Sequence, residues 1–299
     1  MASLFSLRSI ARHLIFLLLL LVLLVPFWQP LCMLIRLALD VDRYTHVILV
    51  PVISMCVFYF ERRAILPNAS YAPRIGLPLL GFGLVLFWYS VTHPSSTQTG
   101  SLFRVMAAIV VVWLAAFFLC YGARSFRAAA FPLCFLLLMI PAPAGVLDQV
   151  TVALQKGSAY VSYLLFKISG TPVFRQGFLF SLPGVEIEVA DQCSGIRSSL
   201  ALLITSILAG HFLLRAWWSR GLLVLLTIPM VILKNSVRIV TIATLGIYLN
   251  RAFLYGELHR RGGLLFALLG VLMLVPVLLL LQGVERRLEH RQGKLTSCV

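Results

Sequence analysis

A chain of 299 residues with 61% hydrophobic and 12% charged side chains, and a mean hydropathy of +0.98, carries more apolar surface than a soluble domain of that size can cover. That excludes a water-soluble enzyme or scaffold and places the chain in a bilayer. The 25 Lys+Arg against 10 Asp+Glu give a net charge of +15, but the basic residues fall in short clusters between apolar runs. That is the pattern of the positive-inside rule rather than of a nucleic-acid surface, so no nucleic-acid partner is expected.

At the N-terminus Arg8 and Arg12 precede "LIFLLLLLVLLVPF", which resembles a secretory signal in charge and hydropathy. The following "WQPLCMLIRLAL" offers no small-x-small cleavage site, so the run reads as an uncleaved first span. Cys32 follows Gln-Pro-Leu rather than the small residues of a lipid-attachment site. Cys32, Cys56, Cys120 and Cys134 lie in apolar runs and Cys298 in the tail, so no disulfide framework is visible.

Apolar runs of about 17–25 residues cross a bilayer, and eight are expected: Leu14–Leu39, His46–Phe60, Ile75–Val91, Arg104–Tyr121, Ala130–Leu147, Ile196–Leu214, Leu222–Leu249 and Gly263–Leu281. Pro26, Pro30 and Pro51 interrupt the first two. With the N-terminus cytoplasmic, the inside segments hold Arg8 and Arg12, then Arg62, Arg63 and Arg74, then Arg124 and Arg127, then Arg215 and Arg220, and finally the basic tail. The outside loop "HPSSTQTGS" has no Lys or Arg, and in Asp148–Gly195 the basic residues are balanced by acidic ones. The segment Asn250–Gly262, with Arg251, Arg260 and Arg261, is the exception to the rule.

After the fifth run, "QKGSAYVSYLLFKISG" has apolar residues at helical spacing and reads as a short extracytoplasmic amphipathic helix. Two β-prone runs, Phe178–Leu182 and Val185–Val189, meet at Pro183-Gly184 and predict a β-hairpin before the sixth span. Val185, Ile187 and Val189 alternate with Glu186 and Glu188, so one face should lie on protein and the other in water. No repeat or low-complexity linker divides the chain, so the expected fold is an all-α polytopic membrane protein in one domain over 1–299.

Three polar features fall on the outer side of this layout. Cys193, in "ADQCSGIRSS", comes just before the sixth span, where unpaired N–H groups and the helix dipole favour a thiolate. Arg197, four residues on, adds a cation on the same face, either tuning the thiol or binding an acidic substrate, and Ser194 gives the thiol a polar neighbour. The plain alternative is a small buried cysteine. The second feature is "LKNSVRIVT", which places Lys234, Asn235 and Arg238 inside the seventh span. Each intramembrane charge costs roughly 2.5–3.5 kcal/mol, so such residues face a polar cavity or a partner, or snorkel to the interface. The third is His259, in "LYGELHRRGGLLF", on the same side as Cys193 and Arg238. A thiolate, a cation for the oxyanion and a proton donor are the minimum set for thiol-based acyl transfer. HExxH, CxxC and Gly-rich phosphate-loop motifs are missing from the sequence, so neither metal nor cofactor is expected, and the "NAS" sequon at Asn68 falls in a cytoplasmic loop.

"CSGIRS" at Cys193–Ser198, "NSVRI" at Asn235–Ile239 and "HRRGG" at His259–Gly263, in that order, resemble the exosortase/archaeosortase family of membrane-embedded transpeptidases. "RYTHVILVP" at Arg43–Pro51 and "MIPAP" at Met139–Pro143 are similar to weaker family signatures, with Val47 standing where the family pattern has Gly. The resemblance implies Cys193 as nucleophile, Arg238 as the essential arginine and His259 as the histidine. It implies a multi-pass protein of the bacterial inner membrane with its active site outside. Its partners would be lipids, a surface acceptor and exported proteins ending in a Pro-Glu-Pro-like motif, a transmembrane helix and a basic cluster. Such enzymes cleave near the motif and transfer the new C-terminus, often in organisms that make exopolysaccharide; the likeness to soluble sortases is one of chemistry and not of fold. A purely hydrolytic cysteine protease, or a transporter or flippase for an anionic lipid-linked substrate, are the competing readings.

Reporter domains fused after Gln98 and after Leu258 should be active only outside the cytoplasm, and one fused after Ser219 only inside. A cytoplasmic Leu258 fusion would separate His259 from an outward-facing Cys193.

Overall fold

The computed structural model describes residues 2–67, 69–189, 196–250 and 263–296. Among them, seven helices are long and apolar enough to cross a membrane, or eight if the bent pair Ala130–Met139 plus Ala144–Ile168 counts as one span. The chain divides into two compact units, Met1–Leu147 and Asp148–Val299.

The first unit is helical: α1 (Ala2–Asp40), a 3-10 turn (Asp42–Tyr44), α2 (His46–Ile65), α3 (Pro73–Thr92), α4 (Gln98–Ala128), α5 (Ala130–Phe135) and a second 3-10 turn (Leu136–Met139). Pro26 and Pro30 do not interrupt α1, nor Pro51 α2. In a bilayer the helix is retained around a proline because any other backbone would leave more polar groups without partners. Small residues let α3 and α4 approach closely: a Cβ on Gly76 would sit 2.6 Å from Leu119 Cα, and one on Gly83 2.8 Å from Val112 Cγ2. The apolar run Ala130–Leu147 is not the single helix expected. Ile140, ahead of Pro141, is extended at φ −74° and ψ 115°, because a residue before proline is pushed out of the α region. Helix resumes only at Ala144.

Most of α6 (Ala144–Ile168) belongs to the second unit; it contains the amphipathic segment but runs for 25 residues, about 37 Å at 1.5 Å per residue. Its faces are inverted relative to a helix in water. Thr151, Gln155, Ser158 and Ser162, at helical spacing, are buried, while Val150, Tyr160, Leu164 and Ile168 are exposed. The hairpin forms as predicted, β2 (Leu179–Leu182) pairing antiparallel with β3 (Val185–Glu188) in the register Leu182 to Val185 and Phe180 to Ile187. Gly184, at φ 73°, takes the left-handed position that follows proline in the turn. A strand not foreseen, β1 (Phe174–Gln176), pairs with the other edge of β2; three residues are too few for an alternation to be read. Glu186 and Glu188 are exposed, whereas Val185 and Ile187 pack inward, as the alternation requires.

Three long helices complete the unit: α7 (Ile196–Leu213), α8 (Trp217–Tyr248) and α9 (Gly263–Thr296). Leu202, Leu223, Met230, Val231, Leu274 and Leu278 form their shared core. At one end, the turn from α7 to α8 is held by α9. Glu285, 7% exposed, accepts from Arg215 N at 3.2 Å and Ala216 N at 2.8 Å and from the Ser219 hydroxyl, while Gln282 donates to Leu213 O at 3.1 Å. The carboxylate thereby serves N–H groups at the start of α8 that have no partner within the helix. The apolar run Gly263–Leu281 gave no hint that α9 continues to a buried acid.

Glu285→Ala should lower thermal stability in nanodiscs by about 2 kcal/mol, since it strands backbone donors, and Glu285→Gln by less. Glu289→Ala removes only an exposed 3.2 Å pair with Arg215 and should cost about 0–1 kcal/mol. Equal losses for all three variants would refute the clamp.

Candidate active site

The middle of α8 carries three consecutive polar residues, Lys234, Asn235 and Ser236, all buried. The helix presents them to different neighbours. Ser236 Oγ donates to Ser158 O on α6 at 3.0 Å. Lys234, 1% exposed, donates to Ser198 Oγ in the first turn of α7. On its other side, α9 approaches so closely that a Cβ on Gly270 would lie 3.3 Å from Lys234 Cδ. Lys234 therefore does not snorkel; its ammonium is enclosed by three helices and partnered by a hydroxyl.

One turn further along α8, Arg238 is half-buried, with its guanidinium carbon 6.0 Å from the ring centroid of Phe266 near the start of α9, the outer limit for a cation–π contact. Beyond it, Ile239, Val240 and Ala243 pack against Phe180, Leu182 and Val189 of the sheet region. Val189, the last described residue before the Cys193 segment, is buried. Its N–H donates to Phe178 O at 3.0 Å, and its carbonyl accepts from Gln155 Nε2 on α6.

The expected site residues divide as follows. Cys193, Ser194 and His259 lie outside the described residues. Arg197 is exposed at the start of α7, Asn235 is buried, and Arg238 is half-buried on α8 near Phe266 of α9. Lys234 and Ser198 come together, joining "KNSVR" to the end of "CSGIRS". Within the first unit, the two upstream signatures also meet, since Tyr44 OH of "RYTHVILVP" donates to Ala142 O of "MIPAP" at 3.0 Å. Gln155, Ser158 and Phe266 were missed. For Gln155 and Ser158 the available signal was a polar stripe at helical spacing; Phe266 had none, because an aromatic in an apolar run looks like any other.

A protein-family model described as transmembrane exosortase (Exosortase_EpsH) matches residues 38–276. The chain belongs to the transmembrane exosortase family. No curated protein and no solved structure matches it. The family match runs from the end of α1 into α9, so it takes in the Lys234–Ser198 contact, Arg238 and the sheet of this exosortase as well as the segments bearing Cys193 and His259.

In this exosortase, Gly270→Val should force Lys234 or α9 to shift and lower thermal stability in nanodiscs by about 1–3 kcal/mol, as overpacking a filled core does. Gly270→Ala, which adds only the 3.3 Å contact to Lys234 Cδ, should be milder. A valine variant as stable as the wild type would show that α9 does not pack this closely on Lys234.

Proposed function

We propose that this exosortase is a membrane cysteine transpeptidase that cleaves the C-terminal sorting signal of exported proteins and transfers the new C-terminus to a surface acceptor. The observation that carries the reading is the pairing of Lys234 with Ser198. It joins the cationic turn of α8, Lys234 to Arg238, to the helix that begins directly after the Cys193 segment. A permeation or flipping role would call for cations open to a passing anion, whereas Lys234 is enclosed by α7, α8 and α9.

In the proposed reaction the Cys193 thiolate attacks the scissile carbonyl carbon, forming an S–C bond. Arg238 stabilises the tetrahedral oxyanion with its planar set of donors. Collapse breaks the C–N bond, and His259 gives its proton to the departing amine, leaving a thioester. His259 then takes a proton from the acceptor nucleophile, which attacks the thioester carbon and releases the thiolate. Water as acceptor would make the same chemistry a hydrolysis. The site faces away from the cytoplasm of a bacterial inner membrane, and the substrate tail carries a Pro-Glu-Pro-like motif, a transmembrane helix and a basic cluster. Arg197, Asn235 and Ser194 serve as binding or supporting groups.

Cys193→Ala should abolish processing without loss of insertion. Arg238→Lys should cost on the order of 10²–10³ in rate, as loss of an oxyanion donor does. His259→Ala should retain a trace of activity, with water supplying the proton. Mass spectrometry of the processed reporter's C-terminus reads transfer as added acceptor mass and hydrolysis as a free carboxylate. Normal processing by Cys193→Ala, in a host without another family member, would defeat the thiol mechanism.

A further inference from the structure

The six residues 190–195 that contain Cys193 are flanked by two polar contacts that come from different helices and from residues outside the proposed catalytic set. Before them, Gln155, 4% exposed on α6, donates its side-chain amide to the carbonyl of Val189. Val189 is itself buried, and its N–H is bonded to Phe178 O at 3.0 Å, so both of its backbone polar groups are committed. After them, Lys234 on α8 donates to Ser198 Oγ in the first turn of α7.

Neither donor is explained by general packing. A glutamine and a lysine buried among apolar residues each cost free energy unless bonded, and an apolar side chain would fill either position without that penalty. α6 already touches α8 through Ser236 and Ser158 O at 3.0 Å, and α7, α8 and α9 share a leucine-rich core. The helices thus have other means of association. Each of the two contacts adds a fixed location for one boundary of the thiol-bearing segment relative to α8, the helix that carries Arg238.

We infer that Gln155 and Lys234 are positioning residues that fix the two boundaries of the Cys193 segment against α6 and α8. The inference rests on the thiol mechanism proposed above. Gln155 acts through the Val189 carbonyl and Lys234 through the Ser198 hydroxyl; neither touches substrate. Their loss should therefore lower kcat far more than it raises KM, because the displaced thiol acts in the chemical step, whereas most of the substrate tail, its transmembrane helix and basic cluster, is held away from this segment. A displacement of about 1 Å costs up to roughly hundredfold in rate.

The test uses the full-length protein co-reconstituted in vesicles with an exported reporter that bears a Pro-Glu-Pro-like motif, a transmembrane helix and a basic cluster. Gln155→Met removes the amide donor while keeping the side-chain length, and Lys234→Met removes the ammonium. Ser198→Ala removes the acceptor with the smallest change in packing and stays informative if Lys234→Met fails to fold. Rates are expressed per folded molecule. The expected result is a ten- to hundredfold lower kcat in each variant, a much smaller change in KM, and a Lys234→Met/Ser198→Ala double variant no slower than Lys234→Met alone, since the two lie on one path. Three results would overturn the inference: wild-type kcat per folded molecule, a raised KM with kcat preserved, or additive losses in the double variant. Cys193→Ala run in parallel separates the levels. If it is inactive while the flanking variants keep wild-type kcat, the positioning role alone is overturned; if it processes normally, the thiol mechanism and the positioning role both fall.

Discussion

Lys234 has to satisfy an ammonium inside a bundle whose surroundings are mostly leucine, valine and isoleucine. A bilayer offers no water to do this at that depth, so the partner must come from another helix. Ser198 supplies it from α7, and the space comes from α9, which bears no side chain at Gly270. One buried cation thereby sets the rotation of three helices about their axes. A shift of α7 or α9 by one residue about its axis would remove the hydroxyl or place a Cβ against the lysine.

The opposite end of the same three helices is held by a buried anion. Glu285 gathers the N–H groups and hydroxyl of the α7–α8 turn, about 25 Å along α8 from Lys234 at 1.5 Å per residue. With an anion fixing its start and a cation its middle, α8 is held in register with its neighbours over most of a membrane thickness. The leucine-rich core between the two points is compatible with many registers, because van der Waals contacts among similar side chains discriminate weakly. The directional contacts select one of them.

Outward from Lys234 the polarity passes from α7 to α6 and the sheet. The buried stripe of α6 contributes Gln155 to Val189 and the Ser158 carbonyl to Ser236, while the inner face of the sheet lays Phe180 and Leu182 on the turns of α8 that follow Arg238. The sheet is small, yet it stops the chain from wandering between α6 and α7. It delivers Val189, with both backbone groups bonded, to the boundary of the segment bearing Cys193. The charged edge, Glu186 and Glu188, stays exposed, where carboxylates need no protein partner.

Hydropathy alone determined that this protein is helical and multi-pass, because a span must be long and apolar regardless of what it packs against. The hairpin at Pro183-Gly184 was equally legible, since turn chemistry is a local property of the chain, and so was the family, since its motifs are local runs of residues. Tertiary structure decided the rest. Whether Ala130–Leu147 is one helix depended on Pro141 and Pro143 breaking it and on α6 continuing the path. Whether the serines and glutamine of α6 face water or protein depended on the polar partners that α8 and the sheet offer them. Lys234 could be read from sequence only as a costly charge, because its partner Ser198 and its neighbour Gly270 lie on other helices. Periodicity tells which residues share a face but not what that face meets; for a buried polar group in a bilayer, what the face meets is the larger part of its free energy.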